Sequence, residues 1–138
     1  MKQQHSLILG SFTLMFCFLA LDFNLPKIRA SDGLPVHKVN TGEDYSTIQE
    51  AINVAETLDG HTIAVDSGTY YGQVTINKSI SLIAQSGDML TIDGGGTETV
   101  IEVNADNVTI NGFNIRNNQA GTAILLDNSL NCSLYNTI

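Results

Sequence analysis

The chain has 138 residues, a formal net charge of −8 from six basic and fourteen acidic side chains, and two cysteines. This length holds at most one ordinary domain, and two cysteines exclude a small fold held together by several disulfides. Nucleic acid is disfavoured as a partner because binding its phosphates needs clustered Lys and Arg.

The first thirty residues have the layout of a secretory signal peptide. Lys2 gives a basic start, Leu7 to Leu21 form a nearly continuous apolar run, and Ala30 supplies a small residue for cleavage. The apolar run is shorter than the roughly 20 residues that a membrane-spanning helix needs. We therefore predict cleavage after residue 30, no stable membrane insertion afterwards, and a secreted, periplasmic or cell-surface location. A retained membrane anchor is the alternative.

Cleavage would remove three of the six basic side chains and one of the fourteen acidic ones, so residues 31–138 would be more acidic still. Such a surface does not attract anionic lipid. Cys132 would be the remaining cysteine, and its place in an alternating stretch predicts a small, buried apolar side chain.

Residues 31–45 are interpreted as a linker and first edge segment, because the stretch is polar and contains Gly33 and Pro35. An amphipathic helix is predicted next, over about residues 46–58. Ser46 and Gln49 have the spacing of a capping box, and an apolar stripe at helical spacing follows: Ile48, Ala51, Ile52 and Ala55. A helix with one apolar face must cover another part of the molecule.

Beyond His61 the apolar period changes from helical to two, which predicts short β-strands. The alternating runs are 62–65, 74–76, 80–83, 90–92, 100–103, 108–110, 113–115, 123–126 and 132–134. Residues that favour turns separate them, most clearly at 66–68, 86–88 and 93–96.

Two segments near the end of the chain repeat one pattern. TVIEVNADNVTINGFNIRNN aligns with TAILLDNSLNCSLYNTI, so that Ile101 falls on Ile124 and Val108 falls on Cys132. This spacing lies within the periods of 20–50 residues that mark solenoids, whose repeats bury an apolar face only by stacking. We therefore predict parallel coils stacked at strand-pairing distance, with the helix covering the first coil. The sequence VTIN occurs at 74–77 and 108–111, and each copy is expected to point its Val and Ile inward.

Asparagine is frequent in the last third of the chain, where it suits turns because it tolerates left-handed backbone. Asn107 and Asn131 occupy equivalent positions of the repeat, so their amides could form a ladder between coils. Asn77, Asn107 and Asn131 also begin Asn-X-Ser/Thr triplets and are the candidate N-glycosylation sites.

From about residue 39 to residue 138, the order of helix, TIAVDSGTYYGQVTINKSISLIA, TIDGGG, VIEVNADNVTINGFNIRNN and AILLDNSLNCSLYNTI resembles the right-handed parallel β-helix of the pectin-lyase-like superfamily. The pattern is most similar to NosD-like β-helix domains, named after the periplasmic copper-binding protein NosD. The resemblance implies an all-β, single-stranded solenoid over residues 46–138 with one N-terminal capping helix. Such repeats serve enzymes, sugar binders and surface scaffolds alike.

The enzyme alternative is a polysaccharide lyase, hydrolase or esterase of this superfamily. Gly68-Thr69-Tyr70 is similar to the G-x-Y stretch of pectin methylesterases, but Gly72 stands where those enzymes have Glu. A lyase would need a basic residue, for which Arg116 with the acidic neighbours Glu102 and Asp127 is the candidate set. Solvated turns are the preferred interpretation of all three, and we predict no catalytic residue.

The copper-accessory alternative would need clustered His, Cys or Met. His37 and His61 lie outside the repeats, and Met89 is the one methionine beyond the leader. We therefore predict no metal site and no cofactor.

The preferred function is an exported or cell-surface module that is structural or binds saccharide, with polysaccharide or cell-envelope glycan as the partner. Tyr70 and Tyr71 are candidates for stacking on sugars, although an aromatic residue at the end of a strand more often serves packing. Leu125 is expected to be an apolar spot one coil beyond Glu102. The chain stops at Ile138 on an apolar residue inside a coil, so we expect a C-terminally truncated fragment whose open edge is available for association.

Overall fold

The computed structural model describes residues 33–85, 90–96, 99–116 and 121–138, and the predicted leader and the predicted turn at 86–88 lie outside them. The described residues form twelve short strands and one helix. In chain order these are β1 (Val36–Lys38), β2 (Glu43–Tyr45), α1 (Ile48–Asn53), β3 (Thr62–Val65), β4 (Thr69–Tyr71), β5 (Val74–Ile76), β6 (Ser81–Ala84), β7 (Leu90–Asp93), β8 (Thr99–Val103), β9 (Thr109–Asn111), β10 (Phe113–Arg116), β11 (Thr122–Leu126) and β12 (Ser133–Tyr135). Among the described residues there is no helix with the length and hydrophobicity of a membrane span.

The strands form three sheets that the chain visits in rotation. Sheet A has the order β12-β9-β6-β3-β1-β2, sheet B the order β10-β7-β4, and sheet C the order β11-β8-β5. From β3 onward each strand pairs in parallel with the strand three positions later, so every sheet takes every third strand. One passage through sheets A, B and C is called a coil below. The predicted all-β class with parallel pairing is confirmed.

The predicted register of the later coils is confirmed. Ile101 of β8 pairs with Ile124 of β11, and Thr109 of β9 pairs with Ser133 of β12. The earlier coils are less regular. Compared with the coil from Thr109 to Ser133, the coil from Thr62 to its partner Ser81 is shorter, and the coil from Ser81 to Thr109 is longer. The differences in length fall between the strands, where insertions do not disturb the stacking.

The two VTIN segments have the predicted orientation but not equivalent places. Val74, Ile76, Val108 and Ile110 are all buried. However, residues 74–76 form β5 of sheet C, whereas 109–111 form β9 of sheet A. The shared tetrapeptide therefore reflects the common inward–outward alternation of strands and not one position of the repeat.

An antiparallel hairpin of β1 and β2 occupies the segment interpreted as a linker and first edge segment, and β1 pairs antiparallel with β3. Lys38 of β1 is fully buried, and its Nζ lies 2.6 Å from a carboxylate oxygen of Glu43 and 5.6 Å from the ring centre of Tyr45. Burial alone lowers the pKa of Lys38, but its partners Glu43 and Tyr45 outweigh this effect and the pKa is raised. The sequence pattern did not predict β1 because a charged residue is not expected at an inward-facing strand position.

The helix is shorter than predicted and begins later. Its N-cap is Thr47, whose Oγ1 accepts a hydrogen bond of 3.1 Å from the Glu50 N–H, and the Glu50 carboxylate accepts one of 3.2 Å from the Ser46 N–H. Thr47 and Glu50 thus replace the predicted pair of Ser46 and Gln49. Ile48, Ala51 and Ile52 are buried as expected, but Ala55 is exposed and lies beyond the helix, which ends at Asn53.

The helix covers the edge of the first coil through polar as well as apolar contacts. The Gln49 side chain pairs with both backbone groups of Thr75 on β5: its Nε2 donates to the Thr75 carbonyl at 3.1 Å, and its Oε1 accepts from the Thr75 N–H at 2.8 Å. The Gln49 amide thus makes the two hydrogen bonds that a peptide group of an additional strand beside β5 would make. Lys78 Nζ donates to the Val54 carbonyl just beyond the helix at 2.8 Å.

One apolar column runs through the coils, but its last level is open. Val103 and Ile110 are fully buried, whereas their partners one coil later, Leu126 and Leu134, are 44% and 45% exposed. Cys132 packs against the core but is only half-buried, so its predicted burial is correct in part.

Candidate functional site

A small cleft lies where the start of α1 meets the corner between β4 and β5. Its volume is about 90 Å³. Thr47, Ile48, Gln49, Tyr70, Tyr71, Gly72, Gln73, Val74 and Ile92 line it. Its aliphatic residues are buried, whereas Tyr71 is 79% exposed and Gln73 is exposed. The cleft therefore combines an apolar floor with a polar and aromatic rim.

The two adjacent tyrosines, which the sequence offered as candidates for sugar stacking or for packing, have different places. Tyr70 points inward and packs against the core, and its hydroxyl donates to the Asp66 carbonyl at 2.9 Å. Burial raises the pKa of Tyr70. Strand alternation turns the next residue, Tyr71, to the outside, so Tyr71 alone presents its ring to solvent. Gly72 follows with φ +103°, a conformation that lets the chain turn sharply from sheet B to sheet C.

Tyr71 belongs to a column of outward-facing side chains on sheet B. The register pairs Tyr71 with Asp93 and Asp93 with Arg116 on three successive strands. Arg116 Nε lies 3.4 Å from Asp93 Oδ2, and Asp93 Oδ1 accepts a hydrogen bond of 3.0 Å from the Gly95 N–H. The aromatic ring, the carboxylate and the guanidinium therefore follow one another across the strands.

A second outward column lies beside the first on sheet B. It contains Thr69, Thr91 and Asn114, of which Thr91 is largely covered with 8% of its surface exposed. These side chains add hydroxyl and amide groups next to the column of Tyr71, Asp93 and Arg116. The whole face is thus polar with one exposed aromatic ring.

The candidate lyase residues do not come together. Arg116 pairs with Asp93 in sheet B, whereas Glu102 is on β8 of sheet C and accepts a hydrogen bond of 3.2 Å from the Asn104 amide. The Asp127 carboxylate accepts from the Asn128 amide at 3.0 Å. Leu125 does lie one rung beyond Glu102 and is 39% exposed, as predicted.

The histidines engage in local contacts. His37 Nδ1 lies 2.7 Å from an Asp44 carboxylate oxygen, and its Nε2 lies 3.2 Å from an Asp66 carboxylate oxygen. The hydrogen bond to Asp44, together with the Asp66 carboxylate, raises the pKa of His37 above its ordinary value of 6.5, although burial opposes the shift. His61 Nδ1 accepts from the Leu58 N–H at 3.3 Å.

No group of three or more His, Cys, Asp or Glu side chains within the described ranges could hold a metal ion. Met89 lies outside those ranges.

The three sequon asparagines are all exposed. Asn107 and Asn131 have the same left-handed φ of +56°, which agrees with the expectation that turns use asparagine here. A hydrogen bond between asparagine side chains of adjacent coils is formed not by Asn107 and Asn131 but by another pair. The Asn136 side-chain amide donates to the Asn111 side-chain oxygen at 3.0 Å.

Sequence reasoning missed Asp93 as a member of this column, and it considered His37 only as a copper ligand, which it rejected. The signal for Asp93 was its spacing, because it lies almost midway between Tyr71 and Arg116, about one coil length from each. Coil lengths differ within this chain, however, so only the pairing of β4, β7 and β10 shows that the three residues share a column.

Comparison with known proteins finds similarity to a cell surface glycoprotein of Methanothermus fervidus. The chain is 33% identical to that protein over 101 residues, which cover 73% of this chain and 16% of the relative. The chain thus spans a small part of the relative's length. No family model matches the chain, and no solved structure matches it.

Proposed function

We propose that this chain forms part of a right-handed parallel β-helix at the cell surface, where it acts as a non-catalytic structural or saccharide-binding module. The passage of the chain through sheets A, B and C in turn supports the β-helix. Its right-handedness follows from the strong preference for right-handed crossovers between parallel strands. The similarity to a cell surface glycoprotein is the observation that carries the location. The layout of residues 1–30 supports export.

Glycosylation at one or more of Asn77, Asn107 and Asn131 is part of the proposal, because all three residues are exposed. Asn107 and Asn131 lie on adjacent coils, about one strand spacing or ~4.8 Å apart. Two glycans on such close asparagines would collide, so we expect one glycan at most on this pair.

Expression of the full chain with a C-terminal epitope in an archaeal host tests the location. We expect epitope exposure to antibody on intact cells, an N-terminus at Ser31, and glycan mass on the sequon peptides. Leu14→Arg with Leu19→Arg is the matched control, since two charges in the apolar run should block export. Full-length, unprocessed wild-type protein in the cytoplasmic fraction would refute the surface location.

A further inference from the structure

We propose that the outward face of sheet B binds a neutral hexose oligosaccharide through Tyr71, Asp93 and Arg116. The inference rests on the proposed function, of which it names the binding site and the ligand class. The three residues lie on successive rungs of β4, β7 and β10. A ligand that runs across the strands would therefore meet all three in order.

Tyr71 supplies the stacking surface. Its side chain is 79% exposed, although a water-exposed aromatic ring forgoes the burial that usually stabilises it. The flat C–H face of a pyranose would cover this ring and remove both apolar surfaces from water. The hydrogen bond from the Tyr70 hydroxyl to the Asp66 carbonyl helps to fix β4, the strand that carries the exposed Tyr71 ring.

Asp93 and Arg116 supply the polar contacts. Adjacent strands are about 4.8 Å apart, so a sugar stacked on Tyr71 would bring a hydroxyl to the part of the Asp93 side chain, 15% of it, that is exposed. Arg116 contacts Asp93 through Nε, and its side chain is 56% exposed, which leaves the guanidinium accessible to a ligand. Hydrogen bonds to these charged groups are shorter and stronger than neutral ones.

The cleft beside Tyr71 can take a substituent of the bound sugar. Its volume of about 90 Å³ exceeds the ~10–15 Å³ that one water molecule needs on the same measure. A hydroxymethyl substituent therefore fits the cleft. Gln73 on the rim and the apolar floor of Ile48 and Val74 match the two ends of such a group.

Charge favours a neutral ligand over an acidic one. The chain carries a net charge of −8, and Asp93 offsets the charge of Arg116 within the site. Lys38 and Lys78 are engaged elsewhere, with Glu43 and with the Val54 carbonyl. A uronic-acid oligomer would therefore approach a repulsive surface.

Titration of the exported chain with cellopentaose, mannopentaose and a galacturonic acid pentamer tests the proposal, with calorimetry and protein NMR as readouts. We expect one of the two neutral pentamers to bind, and its affinity to fall at least tenfold in Tyr71→Ala and in Arg116→Gln. Tyr71→Phe keeps the ring and should retain most of the affinity. Tyr135→Ala is the matched control, because Tyr135 is 56% exposed on the outward side of sheet A.

Three results would overturn the site: no binding of either neutral pentamer by the wild type, equal losses in Tyr71→Ala and Tyr135→Ala, or tighter binding of the acidic pentamer. Circular dichroism of each variant checks that the fold is retained. Surface exposure on intact cells is measured independently, so failure of the saccharide site leaves the proposed location standing.

Discussion

Single residues determine how closely adjacent coils can approach each other at the turns. Gly112 lies between β9 and β10 with φ +90°, and a Cβ at this position would come within 2.8 Å of the Ala84 Cβ on the coil below. The turn therefore needs glycine for its backbone conformation and for the close approach. One coil later, at Asn136, the backbone is again left-handed, with φ +47°.

His37 gives the N-terminal hairpin a dependence on pH. Its two ring nitrogens face Asp44 on β2 and Asp66 just after β3, and Lys38 beside it points to the other side of the strand. Because the folded-state pKa is raised, the stabilisation is fully present below pH 6.5 and is lost as the pH rises through the folded pKa. We expect the wild-type free energy of unfolding to fall over this range.

His37→Gln should flatten this pH dependence, as measured by urea unfolding at pH 6 and pH 8. Asp66→Asn, which removes one of the two carboxylate partners, should reduce it in part. An unchanged slope in His37→Gln would show that another group causes the dependence.

At the scale of elements, the N-terminal hairpin and helix serve to cover the edges of the sheets. The β1–β2 hairpin covers the edge of β3, and Gln49 of α1 supplies a peptide-like partner for β5. Uncovered edge strands invite association with other chains. The helix Ile48–Asn53 is too short to be stable alone, so its packing against the first coil maintains it.

Gln49→Ala should destabilise the protein by about 1–3 kcal/mol, because the Thr75 N–H and carbonyl would lose their partners. Urea unfolding measures the change. Gln85→Ala is the control, since Gln85 is exposed and surface substitutions usually stay within about 0.5 kcal/mol. Equal effects of the two substitutions would show that the pairing of Gln49 with β5 contributes nothing.

At the scale of the whole molecule, stacking makes burial depend on the place of a coil in the stack. Ile110 has coils on both sides within sheet A, whereas Leu134 is on the last described strand of that sheet. The two residues are direct partners in the register, yet Ile110 is fully buried and Leu134 is 45% exposed. Stability in such stacks is a sum over coils and their interfaces.

Ile110→Ala should therefore cost about 2–5 kcal/mol, as is usual for a fully buried aliphatic side chain, and Leu134→Ala should cost less than half as much. Urea unfolding of both variants of the full chain provides the comparison. Equal costs would contradict this dependence on position and would mean that Leu134 is covered in solution.

The repeat could be predicted because its cause is local. Alternation along each strand places Val and Ile inward, and the pairing of residues 101–110 with residues 124–134 follows from the length of one coil. Strand existence and pairing in this region needed no knowledge of distant parts of the chain. Helix α1 was found for the same reason, through its apolar stripe.

The hairpin and β4 were missed because their local patterns are weak. Lys38 is inward only because Glu43 and Tyr45 neutralise and cover it. Tyr70 and Tyr71 are both aromatic, so the sequence shows no apolar–polar alternation in β4, and only the pairing with β7 decides which ring is outside.

The sequence by itself determined the β-rich class, the stacking period and the capping helix, because these depend on side-chain alternation and spacing along the chain. Only the tertiary structure decided which strands of the earlier coils share a sheet, that the two VTIN copies lie in different sheets, and that Tyr71, Asp93 and Arg116 form one column. The reason is physical: variable turns change the number of residues in a coil without changing its path in space, so proximity across coils depends on turn lengths that a local pattern does not contain.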